Sequence, residues 1–338
     1  MQLSWRRQDL RLHRPFTISR GTEVTKQTIV VELTYDRITG LGEAVPVDYY
    51  GQTLESAERT LAAMQGVLAG RDPFKLQTLI ADLCARFGDQ RATVAAVDFA
   101  LHDWIGKRLG IPAWRYLGLD PAKAPPTSFT IGIDSPDVVA QKVQEATAHP
   151  ILKVKLGTPH DEQTLQAVRR IAPQKRVRVD ANAGWQPAEA LEKVRMCARY
   201  GVEYVEQPVP PGDLATLKQL RDAEILPIVV DESCVLPGDI PPLYGCVDGI
   251  NIKLDKCGGI QVGLQMIHTA RTLGLKVMLG CMIGSSLYIS GLAQLSPLAD
   301  WLDLDGHLLL ASDPFRGLEY EDGYLRLADA PGLGVKTA

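Results

Sequence analysis

ILKVKLG, residues 151–157, sets two lysines into what otherwise has the composition of a buried strand. Lys153 and Lys155 are two positions apart, so in a strand both side chains leave the same face. Charged residues are almost never fully buried unless they are paired. An interior strand carrying two ammonium groups therefore needs partners on neighbouring strands. Working outward from it, seven more short apolar segments have the same character: SFTIGI (128–133), RVRVDAN (176–182), VEYVEQP (202–208), LPIVVDES (226–233), VDGINIKL (247–254), LKVMLG (275–280) and DWLDLDG (300–306). Amphipathic stretches such as DEQTLQAVRRIA (161–172) and GIQVGLQMIHTARTLG (259–274) lie between many of them. Strands alternating with helices predict an α/β fold with a parallel sheet. Eight such units predict a closed (β/α)8-type barrel. An open doubly wound sheet is the competitor, but no GxGxxG fingerprint follows any strand.

The chain before the barrel differs. KQTIVVELTYD (26–36) has strand character, and GLGEAVP (40–46) is expected to return beside it after a turn at Thr39–Gly40. Three helical stretches follow with no strand between them, at 54–70, 73–87 and 93–110. This is an α+β unit. The expected division is 1–118 for that unit, 119–313 for the barrel, and a strand-like, Gly-rich segment 314–338 packing back on the first. The Pro-rich stretch DPAKAPPTS (120–128) bridges the two.

Bulk properties narrow the function. A net charge of −4 leaves no overall basic field for nucleic acid. The six cysteines form no CxxC pair, which disfavours a zinc ribbon or redox motif. With no signal-peptide pattern at the N-terminus, the cytoplasm is the expected location. Val277–Ala299 contains no charged residue and mimics a membrane span. Its internal Gly, Ser, Gln and Pro residues instead predict a strand, a turn and a buried helix.

Five strands carry a charged residue at or near the C-terminal end: Lys155, Asp180, Glu206, Asp231 and Lys253. They are separated by 25, 26, 25 and 22 residues, one βα repeat each time. In a barrel these ends converge on one mouth, where barrel enzymes keep their active sites. A lone Asp at a strand end more often caps the next helix, but three carboxylates on successive strands, flanked by lysine strands, form a set. Three hard oxygen donors without His or Cys suit Mg²⁺ rather than Zn²⁺. Lys155 and Lys253 lie four strands apart in a ring of eight and so face each other across the mouth. Lys153 beside Lys155 is expected to lower the pKa of either, because like charges disfavour ionisation. A metal between two opposed bases points to removal and return of a proton α to a carboxylate.

This ordered set, KVK (153–155), VDAN (179–182), VEQP (205–208), DES (231–233) and NIKLDKCGG (251–259), resembles the muconate-lactonizing subgroup of the enolase superfamily over nearly the whole chain. The resemblance implies Asp180, Glu206 and Asp231 as Mg²⁺ ligands and Lys155 and Lys253 as the acid/base pair. It places Lys153 beside the metal-bound carboxylate, and the first domain becomes a capping domain. Lys256 is the rival for the second base. DLDG (303–306) and GCMIGSS (280–286) look like those of dipeptide epimerases, so Asp303 and Asp305 would meet the substrate ammonium, with Cys281 and Met282 beside it. ISRG (18–21) looks like the mobile loop of L-Ala-D/L-Glu epimerases, with Arg20 pairing a glutamate side chain, and VDYYGQT (47–53) would form a second lid. The expected activity is Mg²⁺-dependent epimerisation of a small dipeptide such as L-Ala-L-Glu, with a link to murein peptides. A cycloisomerase or o-succinylbenzoate synthase, a Schiff-base aldolase using Lys155, and a homo-oligomer stay open.

Overall fold

The computed structural model describes residues 1–18 and 21–338. Three antiparallel strands open the chain: β1 (Gln2–Ile18), β2 (Gly21–Tyr35) and β3 (Ile38–Ala44). β1 was not foreseen, because its charged residues alternate with Leu3, Leu10 and Leu12 over too few apolar positions to stand out. The β2–β3 turn falls at Asp36–Arg37, both with positive φ, rather than at Thr39–Gly40. Two such residues make the tight turn whose twist matches the strands it joins.

Helices α1 (Leu54–Leu68), α2 (Leu76–Phe87) and α3 (Arg91–Leu109) complete this part. α3 packs directly on β3. A Cβ on Gly42 would lie 1.9 Å from the Ala96 carbonyl oxygen, and one on Gly40 2.0 Å from that of Ala100. Only glycine permits so close an approach.

Among the described residues, eight parallel strands follow in sequential order: β4 (Phe129–Ile131), β5 (Ile151–Lys155), β6 (Arg176–Asp180), β7 (Val202–Glu206), β8 (Ile228–Val230), β9 (Gly249–Ile252), β10 (Lys276–Gly280) and β11 (Trp301–Asp303). All eight fall on the predicted segments. A parallel bridge between Thr127 and Leu302 brings the first and last edges together. Outward residues such as Leu152, Val154 and Val179 join the main apolar core under the helices. Tyr204, Val229, Met278 and Trp301 form a separate apolar cluster. Arg178 is buried there, donating to Glu203 Oε2 (2.8 Å) and the Leu302 carbonyl (3.0 Å) and lying 5.5 Å from the Tyr204 ring centre.

The segment that mimics a membrane span is β10, a turn and the buried helix Ser286–Ala293. No helix among the described residues is long and apolar enough to cross a membrane. Near the C-terminus Leu333 N–H donates to Asp103 on α3 (2.8 Å), and Ala113 N–H to the Gly332 carbonyl (2.8 Å).

Candidate active site

The parallel register aligns the strand ends. Lys155 pairs with Asp180, and Asp180 with Glu206. Asp231 and Lys253 each follow their strands by one residue. Lys153 and Lys155 both point inward, where each meets carboxylates. Lys155 Nζ lies 2.6 Å from Asp180, while Lys253 Nζ lies 3.1 Å from Asp231. Lys153 Nζ sits among three acids, at 3.1 Å from Asp180, 2.7 Å from Glu206 and 2.7 Å from Asp303. All of these groups are buried.

One electrostatic expectation is overturned. Burial disfavours the Lys153 charge, yet Asp303, Glu206 and Asp180 outweigh it and raise the pKa well above the ordinary lysine value. The neighbouring ammonium does not depress it, because three carboxylates stand closer. For Lys253 burial likewise opposes the charge, and Asp231 prevails to raise it. Burial works against ionisation of Asp180 and Asp231, but their lysines hold both low. Glu206 differs: burial and Asp180 push its carboxyl up to about 7. Asp180 and Asp231 each have two lysines within 3.1 Å, whereas Glu206 has Lys153 alone, shared with Asp180 and Asp303, so its charge is the least compensated of the three.

That donor set fits a hard divalent cation. It is all carboxylate, buried, on adjacent strands, and the mutual repulsion of its three carboxylates is what such an ion relieves. Among the described residues these acids do not close into a metal cage by themselves; the Lys153 ammonium lies between Asp180 and Glu206.

Residues outside the five strand-end positions hold these carboxylates in place. Asn251 Nδ2 donates to Glu206 (2.8 Å), and Gly280 leaves room for it, since a Cβ there would meet the Asn251 amide at 2.6 Å. The Asn182 N–H donates to Asp180 (2.8 Å). Gln207, at φ 34°, accepts from the Asp231 N–H (2.9 Å). Lys256 donates to the Asp231 carbonyl (2.7 Å), its carboxylate (2.5 Å) and the Cys234 carbonyl (3.1 Å). It is buried behind the strand ends, whereas Lys253 lines the cavity. Asn182, Gln207, Asn251 and Lys256 all stood inside the motifs quoted above; only their contacts identify what they support.

The cavity, of about 670 Å³, lies between barrel and capping sheet. Lys155, Lys253, Asp303, Asp305, Cys281 and Met282 line it from the barrel, and Tyr49 and Tyr50 from the capping domain. Asp303 accepts from Ser128 (2.7 Å) and Asp305 from the Thr130 N–H (2.6 Å). Burial and the Asp303 charge push Asp305 up to about 7. Glu43, buried on β3, accepts from the Ser285 N–H (3.3 Å) and bonds its hydroxyl, fastening the capping sheet to the 280–286 loop. Arg20 lies outside the described residues.

Known proteins match this arrangement over its whole length. The family "Mandelate racemase / muconate lactonizing enzyme, N-terminal domain" matches residues 2–118, and "Enolase C-terminal domain-like" matches 138–338. An L-Ala-D/L-Glu epimerase of Bacteroides thetaiotaomicron is 39% identical over 99% of this chain and 88% of its own. A hydrophobic dipeptide epimerase of Roseobacter litoralis is 40% identical over 95% of this chain and 94% of its own. The crystal structure of a dipeptide epimerase from Enterococcus faecalis, complexed with Mg and L-Leu-L-Tyr, superposes with a TM-score of 0.94 at 32% identity, covering 99% of this chain and 98% of that one. The chain belongs to the mandelate racemase/muconate lactonizing enzyme family of the enolase superfamily and is an isomerase.

Proposed function

We propose that this protein is a Mg²⁺-dependent dipeptide epimerase that inverts the α-carbon of the C-terminal residue, with L-Ala-L-Glu converted to L-Ala-D-Glu. The observation that carries the reading is the pair Lys155 and Lys253, four strands apart in the barrel order and lining one cavity. One removes the α-proton as the amine; the other returns a proton from the opposite face as the ammonium. Asp180, Glu206 and Asp231 would hold the metal, which supplies charge neutralisation to the substrate carboxylate as its α-proton leaves. Lys153, held charged by its acids, adds a fixed positive charge beside that carboxylate. Asp303 and Asp305 receive the dipeptide ammonium, and Cys281 and Met282 pack beside it. Tyr49 and Tyr50 close the capping side against water. Arg20 is assigned to the glutamate side chain.

The relatives named above differ in substrate, so the side chain is the part to be tested. The test is proton NMR in D₂O with enzyme, Mg²⁺ and L,L-dipeptides led by L-Ala-L-Glu. The expected result is loss of the C-terminal α-proton signal with appearance of the diastereomer. EDTA should stop the exchange, and added Mg²⁺ should restore it. Activity that survives chelation would favour a metal-free lysine mechanism, and no exchange across the panel would overturn the dipeptide reading.

A further inference from the structure

The cavity has a wall that the catalytic strands do not supply. It comes from the β1–β2 hairpin, and Lys26 lines it. The register pairs Lys26 with Leu10, and directly paired residues of antiparallel strands share a face. Leu10 is buried against Ile283 and Leu310. Gln8 and Thr28, the next pair on that face, are buried as well. This is therefore the face turned toward the barrel, and Lys26 extends from it into the cavity with its side chain only 13% exposed.

Its ion-pair partner, Glu23 at 3.0 Å, is 46% exposed. A pair with one member that open is weak because water screens it, so a carboxylate entering the cavity can compete for the ammonium. The other described lysines lining the cavity, Lys155 and Lys253, are engaged by Asp180 and Asp231. The lining acids of the capping side, Glu23, Asp48 and Glu55, are exposed. The half-buried charge of this wall is thus positive, with negative charge toward solvent.

We infer that Lys26 is a specificity-determining residue that receives the side-chain carboxylate of the residue being epimerised, releasing Glu23 as it does so. The inference rests on the dipeptide-epimerase reading and deepens it: beside Arg20, assigned to the same side chain, a cation on β2 selects acidic side chains.

The test compares kcat/KM for L-Ala-L-Glu with that for its neutral isostere L-Ala-L-Gln, using wild type, Lys26→Met and Lys26→Arg. The ratio of the two constants within one preparation does not depend on the folded fraction. A hydrogen bond between charged groups predicts that Lys26→Met lowers the Glu/Gln ratio by about tenfold or more, through KM for the glutamyl substrate. Lys26→Arg should keep most of the wild-type ratio. Turnover of both dipeptides with a ratio in Lys26→Met within about twofold of wild type would overturn the assignment while leaving the epimerase reading intact. A wild-type enzyme that epimerises no dipeptide would overturn both.

Discussion

Lys155 and Lys253 are equivalent in kind but not in surroundings. Lys155 is held by Asp180 at 2.6 Å and Lys253 by Asp231 at 3.1 Å, so each is tethered to a different proposed ligand on its own side of the mouth. Two bases on two faces make a specific prediction. Lys155→Ala should reduce epimerisation by about 10²–10⁴-fold, the usual loss for a positioned proton-transfer group. α-Proton exchange should persist for the diastereomer whose proton Lys253 faces, and Mg²⁺ binding measured by calorimetry should remain. NMR exchange from each diastereomer separately checks this; equal rates from both would remove Lys155 from the mechanism. At this scale the charged set was legible because its spacing is one βα unit. The raised Lys153 pKa was not. Lys155, two residues away, predicts a depression, whereas Asp180, Glu206 and Asp303, which reverse it, are distant in sequence.

Elements explain how the site is held under its cap. β3 lies on α3 with glycine as the contact, and it carries Glu43 to Ser285 on the loop that supplies Cys281 and Met282. Gly42→Ala would place a methyl 1.9 Å from the backbone of Ala96, which no rotamer change relieves. The substitution should destabilise by about 3 kcal/mol, at the upper end of overpacking effects, as read by denaturant unfolding. A loss within about 0.5 kcal/mol, the range of ordinary surface substitutions, would contradict the packing. In the sequence GLGEAVP marks a strand, but alternating glycines do not say what presses against them. The β2–β3 turn was misplaced for a related reason. Thr39–Gly40 carries the usual turn glycine, whereas the structure spends that glycine on the helix contact and lets Asp36 and Arg37 take positive φ.

At the scale of the molecule, capping domain and barrel share a buried polar seam. Asp98 on α3 accepts from the Ile260 N–H at the start of the barrel helix Ile260–Thr272, and His102 lies 3.6 Å from it. Burial pushes Asp98 up to about 8 and His102 down to about 3. The two act oppositely on stability. For Asp98 the folded pKa exceeds the unfolded one, so its contribution is complete below about 4 and is lost as pH rises toward 8. For His102 the folded pKa is depressed, so its contribution is complete above about 6.5 and is lost as pH falls toward 3. For this pair the slopes cancel between about 4 and 6.5, and from 6.5 to 8 Asp98 should cost about 1.4 kcal/mol per pH unit, joined up to about 7 by Glu206 and Asp305. Asp98→Asn should flatten the decline above pH 6.5 in denaturant titrations. An unchanged slope would show that another group titrates there.

The sequence by itself determined the barrel, its eight strands and the charged residues at their ends, because hydrophobic period and βα spacing are local properties written along the chain. It also carried the family, through motifs that sit at those same strand ends. Only the tertiary structure decided which lysine faces the cavity and which is spent behind Asp231, which carboxylate is left under-compensated, and which face of the β1–β2 hairpin turns Lys26 inward. Each of those depends on distances between segments far apart in the chain. In a buried site such distances govern both charge and reach.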